Sequence, residues 1–155
     1  LTTSTSAIPN IFNSHQGESL EISASILTRD DLGIQNAMLV VSSYLLISIK
    51  SAGLKIVSTT SPISVAATLT TISTASITGI SSIQKDKTNA TKYYIADSVS
   101  GFLSVDLTTV TAPTLNTQYT ALNTIGISKL FYQYTNDLNL FCLILTDNSI
   151  IFYNI

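Results

Sequence analysis

Few side chains in this sequence could take part in acid–base, nucleophilic or metal chemistry. His15 is the only imidazole and Cys142 is the only thiol. A catalytic triad needs a base that a third group holds on a rigid scaffold, and His15 stands in a polar stretch between Asn13 and Gln16. One His and one Cys cannot by themselves supply the ligands of an ordinary zinc site. The sequence therefore predicts no catalytic residue, no metal site and no cofactor.

The acidic residues are scattered, and most have a structural interpretation. Asp97 and Asp106 are nine residues apart, and each could act as a general acid or a metal ligand. Both occupy a position in a repeat described below, so we interpret them as side chains that cap strand ends or accept hydrogen bonds from loop amides. The pair Asp30-Asp31 could bind a cation weakly, but such pairs are typical of turns. The sequence contains no phosphate-binding glycine loop and no EF-hand pattern.

The composition excludes several classes of partner. Only 10% of the residues are charged, the net charge is -2, and 45% are hydrophobic. This balance argues against a nucleic-acid footprint and against disorder. Ser and Thr together account for 44 residues, so hydroxyl groups must provide much of the polar surface that contacts water. Such a surface repels copies of itself only weakly, which predicts self-association; a compositional bias of the source genome explains the same numbers.

The sequence also bears on localisation. Residues 37–49 form the most apolar stretch, about 13 residues long, whereas a spanning helix needs about 20, so we expect no membrane span. The chain starts without Met and without a signal-peptide pattern, which is typical of a processed chain or a fragment. Asn89 begins an N-glycosylation sequon, which favours an extracellular or cell-surface glycoprotein. Cys142 lies in an apolar run, where we expect a buried thiol that behaves as a small hydrophobe.

The elements that carry these residues recur along the chain. Residues 53–57 align with residues 101–105 at an offset of 48, and the same offset places residues 149–153 on that segment. Residues 79–83 align with residues 126–130 at an offset of 47. A period of this length, with four short strands per unit, is typical of a β-propeller blade.

The second unit shows the four strands most clearly. β-branched and aromatic residues predict strands at about residues 79–84, 92–97, 102–107 and 115–120. Phe102, Ser104 and Asp106 alternate with Leu103, Val105 and Leu107, which predicts one better-buried face. Turn-forming clusters at residues 98–101 and 147–149 tolerate the positive φ angles of tight hairpins. No segment has a convincing helical period.

Three segments of this unit resemble a known family. Residues 94–97 read Tyr-Ile-Ala-Asp, residues 101–107 read Gly-Phe-Leu-Ser-Val-Asp-Leu, and residues 112–115 read Ala-Pro-Thr-Leu. Together they resemble the LVIVD-type repeat of β-propeller proteins. The resemblance implies a propeller fold, and a place among surface or secreted repeat proteins that share no common enzyme activity. The two Asp positions of the repeat hold Ile49 and Ser58 in the first unit, and Leu145 and Asn154 in the last.

The predicted architecture is all-β, with about three blades of four antiparallel strands. We divide the chain into a tail or linker at residues 1–17 and blade repeats at residues 18–155. The repeats are a leading strand at 19–28, a unit at 33–71, a unit at 79–121, and an incomplete unit of three strands at 126–155. Such an arrangement is open unless another copy or a further segment completes it.

An open blade predicts a mode of association. Propellers close with about four to eight blades, and an unpaired sheet edge invites a strand from another chain. The leading strand could therefore complete the last blade of a neighbouring copy, which would close a six-bladed ring from two chains or extend a fibre. A piece of a longer propeller fits the same strand count. The residues predicted to make the contact are Leu20, Ile22, Ala24 and Ile26 in the donor strand, and Ile150, Phe152 and Tyr153 in the acceptor blade.

These patterns favour an extracellular structural or adhesive protein that associates with copies of itself and has no catalytic activity. A carbohydrate- or protein-binding propeller is the alternative, because exposed Tyr rings of the pairs at residues 93–94 and 132–134 could stack on sugars; the same rings could instead fill the space between blades. An enzyme with an acidic propeller centre is a third reading. Lys85, Lys87 and Lys92 surround the sequon and indicate a solvated hairpin tip.

Overall fold

The fold is all-β in the part of the chain that the structure, a computed structural model, describes, namely residues 35–49, 52–119 and 126–155. These residues form thirteen antiparallel strands and no helix. The strands make three larger sheets and one short hairpin. The predicted class of antiparallel, blade-like sheets is therefore confirmed, and the sheets form an open rather than a closed arrangement.

Sheet 1 is a four-stranded meander in which each strand pairs with the next along the chain. Its strands are β1 (Gln35–Val41), β2 (Tyr44–Ile49), β3 (Gly53–Ser58) and β4 (Ser64–Leu69). A two-residue hairpin follows, made of β5 (Thr71–Ile72) and β6 (Ala75–Ser76). The repeat pattern did not predict this hairpin, because it falls between two units.

Sheet 2 repeats the meander, and its strands begin and end within two residues of the predicted positions. They are β7 (Ile80–Lys85), β8 (Lys92–Asp97), β9 (Gly101–Asp106) and β10 (Thr114–Gln118). The positive φ of Gly101, +75°, recurs at Gly53, +88°, which lies 48 residues earlier. A glycine with a positive φ therefore begins the third strand of both sheets.

Sheet 3 has three strands, in the order β11 (Ile127–Thr135), β12 (Leu138–Leu145) and β13 (Ile150–Asn154). The turn before β13 uses Asn148 at a φ of +67°, a conformation that Asn tolerates better than most residues. No fourth strand pairs with β13 among the described residues. The predicted leading strand, residues 19–28, lies outside them.

The three sheets stack in chain order, and a separate apolar core fills each gap. We call the face that a sheet turns toward the next sheet its forward face, and the opposite face its rear face. Leu46 and Ile56 on the forward face of sheet 1 pack with Ile95 and Leu103 on the rear face of sheet 2. The core between sheets 2 and 3 is richer in aromatic rings. Its buried members are Tyr94, Ala96 and Phe102 from sheet 2, and Ile127, Leu130, Phe141, Leu143 and Leu145 from sheet 3.

Because sheet 2 is covered on both faces, five of the six residues are buried in each of its central strands, β8 and β9. In β9 the five residues from Gly101 to Val105 are all buried. The expectation of one better-buried face was therefore wrong for this strand. Ser104 alternates with apolar residues along the strand, but it also faces a core and is only 1% exposed.

Serine hydroxyls of one sheet donate hydrogen bonds to the first strand of the next sheet. Ser48 Oγ donates to the carbonyl of Ile80 at 2.8 Å, and Ser81 Oγ donates to the carbonyl of Ile127 at 2.7 Å. A hydroxyl satisfies a buried carbonyl without adding a charge. These bonds explain part of the high serine content, and they fix one sheet against the next.

Candidate association surface

The outer edge of β13 has no partner strand among the described residues. β13 pairs with β12 on its other side, in unbroken register. The carbonyl of Ser149 accepts a hydrogen bond from the amide of Leu145 at 2.9 Å, so the odd-numbered residues direct their backbone groups at β12. Because these groups alternate along an antiparallel strand, the N–H and C=O groups that point at the open edge belong to Ile150, Phe152 and Asn154.

The equivalent backbone groups of sheet 2 are occupied. Phe102 lies 48 residues before Ile150, and its carbonyl accepts the amide of Tyr119 at 2.9 Å. Asp106 lies 48 residues before Asn154 and pairs with Thr114 of β10. In sheet 1, β3 pairs with β4 in the same way. The open edge of β13 is thus the position that a fourth strand fills in the other two sheets.

The outer strands of sheets 1 and 2 carry features that discourage further pairing. The register between β3 and β4 shifts at Ile56/Val57, and that between β9 and β10 shifts at Leu115/Thr117. Such bulges, together with polar side chains, protect natural sheet edges. β13 has neither protection, because it pairs with β12 without a bulge and has the sequence Ile-Ile-Phe-Tyr-Asn.

The forward face of sheet 3 is apolar and exposed. Phe131, Cys142 and Phe152 pair across the three strands and therefore share this face. The exposed fraction is 55% for Phe131, 57% for Ile150 and 80% for Phe152. A contiguous exposed apolar patch of this kind is often an interaction surface.

Cys142 stands in the middle of this face and is half-buried. The expectation of a fully buried thiol was therefore wrong. Its apolar neighbours along β12 suggested a core position, but alternate residues of a strand point to opposite faces, and Cys142 belongs to the set that points away from the core.

The predicted acceptor residues divide between the two faces of β13. Ile150 and Phe152 lie on the exposed forward face, with their backbone groups at the open edge. Tyr153 points to the other face and packs between the sheets, with its ring 5.8 Å from that of Tyr119. The predicted donor residues Leu20, Ile22, Ala24 and Ile26 lie outside the described residues.

The two Asp residues of the repeat hold backbone and hydroxyl groups in place. Asp97 is fully buried, and its Oδ1 accepts the amides of Val99 and Ser100 at 2.7 and 2.8 Å. Its Oδ2 accepts the amide of Gly79 at 2.9 Å. Asp106 accepts hydrogen bonds from side chains and backbone in its neighbouring loops, and these bonds lower its pKa. Within the described ranges, no three His, Cys, Asp or Glu side chains lie close enough to hold a metal ion.

A buried carboxylate that the sequence analysis did not single out is Asp86, which follows β7 and is 4% exposed. Its Oδ2 accepts the hydroxyl of Tyr94 at 2.7 Å, and its Oδ1 accepts the amides of Thr88 and Asn89 at 2.7 and 3.0 Å. Burial acts to raise the pKa of Asp86, but the hydrogen bonds from Tyr94, Thr88 and Asn89 outweigh it and leave the pKa below its ordinary value of 3.8. The charged carboxylate therefore anchors the loop between β7 and β8.

A local pattern could have identified this role. In Asp86-x-Thr88, Asp106-x-Thr108 and Asp147-x-Ser149, the Asp side chain accepts the backbone amide two residues later. This is the Asx turn, which Asp forms readily when a loop follows a strand. The pattern predicts a loop, and only the structure shows that Asp86 is buried under Tyr94.

We expect Asp86→Asn to lower the free energy of unfolding by about 1.5–3 kcal/mol, the usual worth of hydrogen bonds to a charged acceptor. Because the folded state holds the pKa of Asp86 below 3.8, the carboxylate stabilises the fold fully above the unfolded pKa, and this contribution is lost as the pH falls through the folded pKa. Urea unfolding of both proteins at pH 7 and at about pH 3 checks this. The matched control is Asp137→Asn, at an exposed turn carboxylate that accepts the hydroxyl of Tyr134. An equal effect of the two substitutions would contradict the role of Asp86.

The tyrosine pairs are part of the packing between sheets. Tyr93 and Tyr94 are 3% and 0% exposed. The ring of Tyr94 lies 5.3 Å from that of Tyr132 and 4.6 Å from that of Phe141. Tyr134 donates its hydroxyl to Asp137 at the end of the β11–β12 hairpin. The interpretation that these rings fill the space between sheets therefore fits their positions better than sugar stacking.

The sequon lies in the loop between β7 and β8, and Asn89 is exposed there. Asn89 Oδ1 accepts the amide of Thr91 at 3.0 Å and its hydroxyl at 3.2 Å. Lys85 and Lys87 are exposed, whereas Lys92 places its Nζ 5.1 Å from the centre of the Tyr94 ring.

An open cleft of about 510 Å³ lies where the first two sheets meet. Its walls are rich in hydroxyl groups, including those of Thr91, Thr108 and Thr111. Tyr93 contributes to its lining but is buried, so it offers no exposed ring face to a ligand. The cleft is open and mixes apolar side chains with the hydroxyl groups, and it brings together no set of residues that indicates a reaction.

Comparison of the chain with protein-family models, with curated proteins and with solved structures finds no match. The resemblance to the LVIVD-type repeat therefore stays a prediction. Among the described strands and loops there is no helix long and apolar enough to cross a bilayer.

Proposed function

We propose that this chain is an extracellular structural or adhesive protein of the β-propeller type, related to the LVIVD-type repeats, that associates with copies of itself by strand complementation. The leading strand at residues 19–28 of one copy adds to the open edge of β13 in another. The proposal rests on this edge. β13 is apolar, pairs with β12 in unbroken register, and has no partner strand on its other side among the described residues.

Backbone pairing supplies the affinity of such a contact. Ile150, Phe152 and Asn154 each offer one N–H and one C=O to an added strand. Each backbone hydrogen bond contributes about 0.5–1.5 kcal/mol, and side chains on alternate positions add apolar contact. The alternation of Leu20, Ile22, Ala24 and Ile26 suits a strand that places one apolar face beside Phe152.

The surface composition supports association and an extracellular setting. Charged residues form only 10% of the chain and the net charge is -2, so electrostatic repulsion between copies is weak. Hydroxyl-bearing residues and the exposed sequon at Asn89 are typical of secreted and cell-surface proteins. The alternative of a carbohydrate-binding module has less support, because Tyr93 and Tyr94 are buried.

We expect Asn154→Pro to weaken self-association about tenfold or more. The proline removes one N–H that faces the open edge and places its ring where an added strand would lie, and tenfold in the dissociation constant corresponds to about 1.4 kcal/mol. Asn154→Ala is the matched control, since it removes the same side chain and keeps the N–H. Sedimentation velocity over a dilution series measures both. Equal association of the two variants would contradict strand pairing at β13.

The donor strand is identified by a mixing experiment. The double variant Ile22→Asp/Ile26→Asp has a blocked donor and an intact acceptor, whereas Asn154→Pro has the reverse. Each variant alone should associate weakly, and a mixture should form one dimer of one copy of each. A mixture that contains no such dimer would show that residues 19–28 do not donate the strand.

A further inference from the structure

We infer that the forward face of sheet 3 binds the rear face of sheet 1 in a second copy of the chain, so that copies stack head to tail. The inference rests on the proposed function and deepens it. Strand pairing uses the edge of β13, whereas this contact uses the exposed face around Phe131, Cys142 and Phe152.

The chain makes the same contact twice within itself. The forward face of sheet 1 is covered by the rear face of sheet 2, and the forward face of sheet 2 by the rear face of sheet 3. Leu46, Tyr94 and Cys142 occupy one position at steps of 48 residues. Leu46 and Tyr94 are buried at 1% and 0% exposure, and only Cys142 lacks a sheet in front of it among the described residues.

The exposed forward face of sheet 3 is mostly apolar, as buried sheet faces are. Across β11, β12 and β13, the only charged side chain that the register assigns to this face is Lys129, near the start of β11. The large apolar side chains that share the face are Phe131, Leu138, Leu140, Ile144, Ile150 and Phe152. Aromatic side chains bury about 150–250 Å² each, so covering Phe131 and Phe152 alone removes roughly 250 Å² from water.

The rear face of sheet 1 presents the complementary surface at β1. Met38 is 56% exposed and Val40 is 68% exposed, and both point away from sheet 2. Ile47, Ile49 and Val57 on the same face are buried. The contact is therefore placed at the β1 side of the rear face, where β7 approaches β1 and β11 approaches β7 within the chain. It leaves out Ile47 and Val57, whose equivalents in sheet 2, Ile95 and Val105, do lie between two sheets, so it is narrower than the internal contacts.

The 48-residue repeat predicts which residues of the two copies contact each other. Tyr94 of sheet 2 faces Tyr132 of sheet 3 with ring centres 5.3 Å apart. Cys142 is the equivalent of Tyr94, and Val40 is the equivalent of Tyr132, because Val40 pairs with Leu45 as Tyr132 pairs with Phe141. Stacking of a second copy thus brings its Val40 beside Cys142 of the first.

The two contacts are compatible in one arrangement. Residues 70–79 connect the fourth strand of sheet 1 to sheet 2, and residues 119–126 connect the fourth strand of sheet 2 to sheet 3. If residues 19–28 complete sheet 3 of a neighbouring copy, residues 29–34 are the part of the chain that leads from that strand to β1. Each copy then adds its sheets to the stack of the copy before it. Such a heterologous contact either closes into a ring or extends as a fibre.

The test uses Cys142 as a native probe. We expect Val40→Cys, treated with a short bismaleimide crosslinker in its associated state, to give crosslinked species on a denaturing gel that are at least tenfold more abundant than in the wild type. These species stop at a dimer if two copies close a ring, and form a ladder of dimers, trimers and larger species if the stack extends as a fibre. Val99→Cys is the control, since Val99 is 57% exposed but lies in the β8–β9 turn. Adding Cys142→Ser to Val40→Cys should remove these crosslinked species.

The outcomes separate this inference from the proposed function. A wild-type dimer joined through two Cys142 side chains, without additional crosslinking in Val40→Cys, would mean that forward faces pair with each other. Association without any crosslink would leave strand pairing in place and overturn stacking. Crosslinking that persists undiminished in Asn154→Pro/Val40→Cys would support stacking and contradict strand pairing at β13.

Discussion

Phe102→Ala should lower the free energy of unfolding by about 3–5 kcal/mol, the range for deleting a buried aromatic side chain. Phe102 has no exposed surface. Its ring centre lies 4.8 Å from that of Tyr119 and 5.0 Å from that of Phe141. The substitution leaves a cavity in the core between sheets 2 and 3, because neither sheet can move to fill it without shifting the other. Urea unfolding followed by far-ultraviolet circular dichroism measures the change.

Phe152→Ala provides the matched control for Phe102→Ala. Phe152 is 80% exposed, so its truncation should change the stability of the dissociated chain by less than about 0.5 kcal/mol. Self-association, in contrast, should weaken, because Phe152 belongs to both proposed contacts. If the two substitutions reduced stability equally, the assignment of one ring to a core and the other to an association surface would be wrong.

Gly53→Ala should lower the free energy of unfolding by about 3 kcal/mol or more. Gly53 has a φ of +88°, which costs residues with a Cβ about 1–2 kcal/mol. A Cβ at this position would also collide with the carbonyl oxygen of Leu69, the last residue of β4. Because that oxygen belongs to the backbone, relief requires β3 and β4 to separate.

Ala52→Gly, in the same turn, is the control for Gly53→Ala. Ala52 is exposed, and its replacement should cost no more than about 0.5–1 kcal/mol. Chemical unfolding of the two variants under identical conditions makes the comparison. A loss at Gly53 no greater than that at Ala52 would show that β4 does not approach the turn as closely as described.

The sequence predicted the strands well because each has its own local signals. Gly53 and Gly101 begin the third strand in two units, and short runs of β-branched and aromatic residues are separated by turn residues. These are short-range properties, so the strands of sheet 2 could be placed within two residues. The repeat offset then identified sheet 3 from residues 126–155, although its sequence shares few identities with the other units.

The sequence did not reveal which strand faces are covered, because covering depends on neighbouring sheets. The alternation over residues 102–107 predicted one better-buried face, yet Ser104 on the other face is buried too. Cys142 was expected to be buried and lies on an open face. Asp86 carried no repeat signal, and its burial depends on Tyr94 from a different strand. The open edge of β13 could be anticipated by counting strands, but the exposed face beside it could not.

Light scattering coupled to size-exclusion chromatography measures the self-association of the chain without any label or crosslinker. A single chain has a mass of 16.6 kDa, and we expect species at integral multiples of that mass whose proportion rises with protein concentration and falls in Asn154→Pro. A species of one chain's mass at every concentration, from micromolar upward, would contradict self-association.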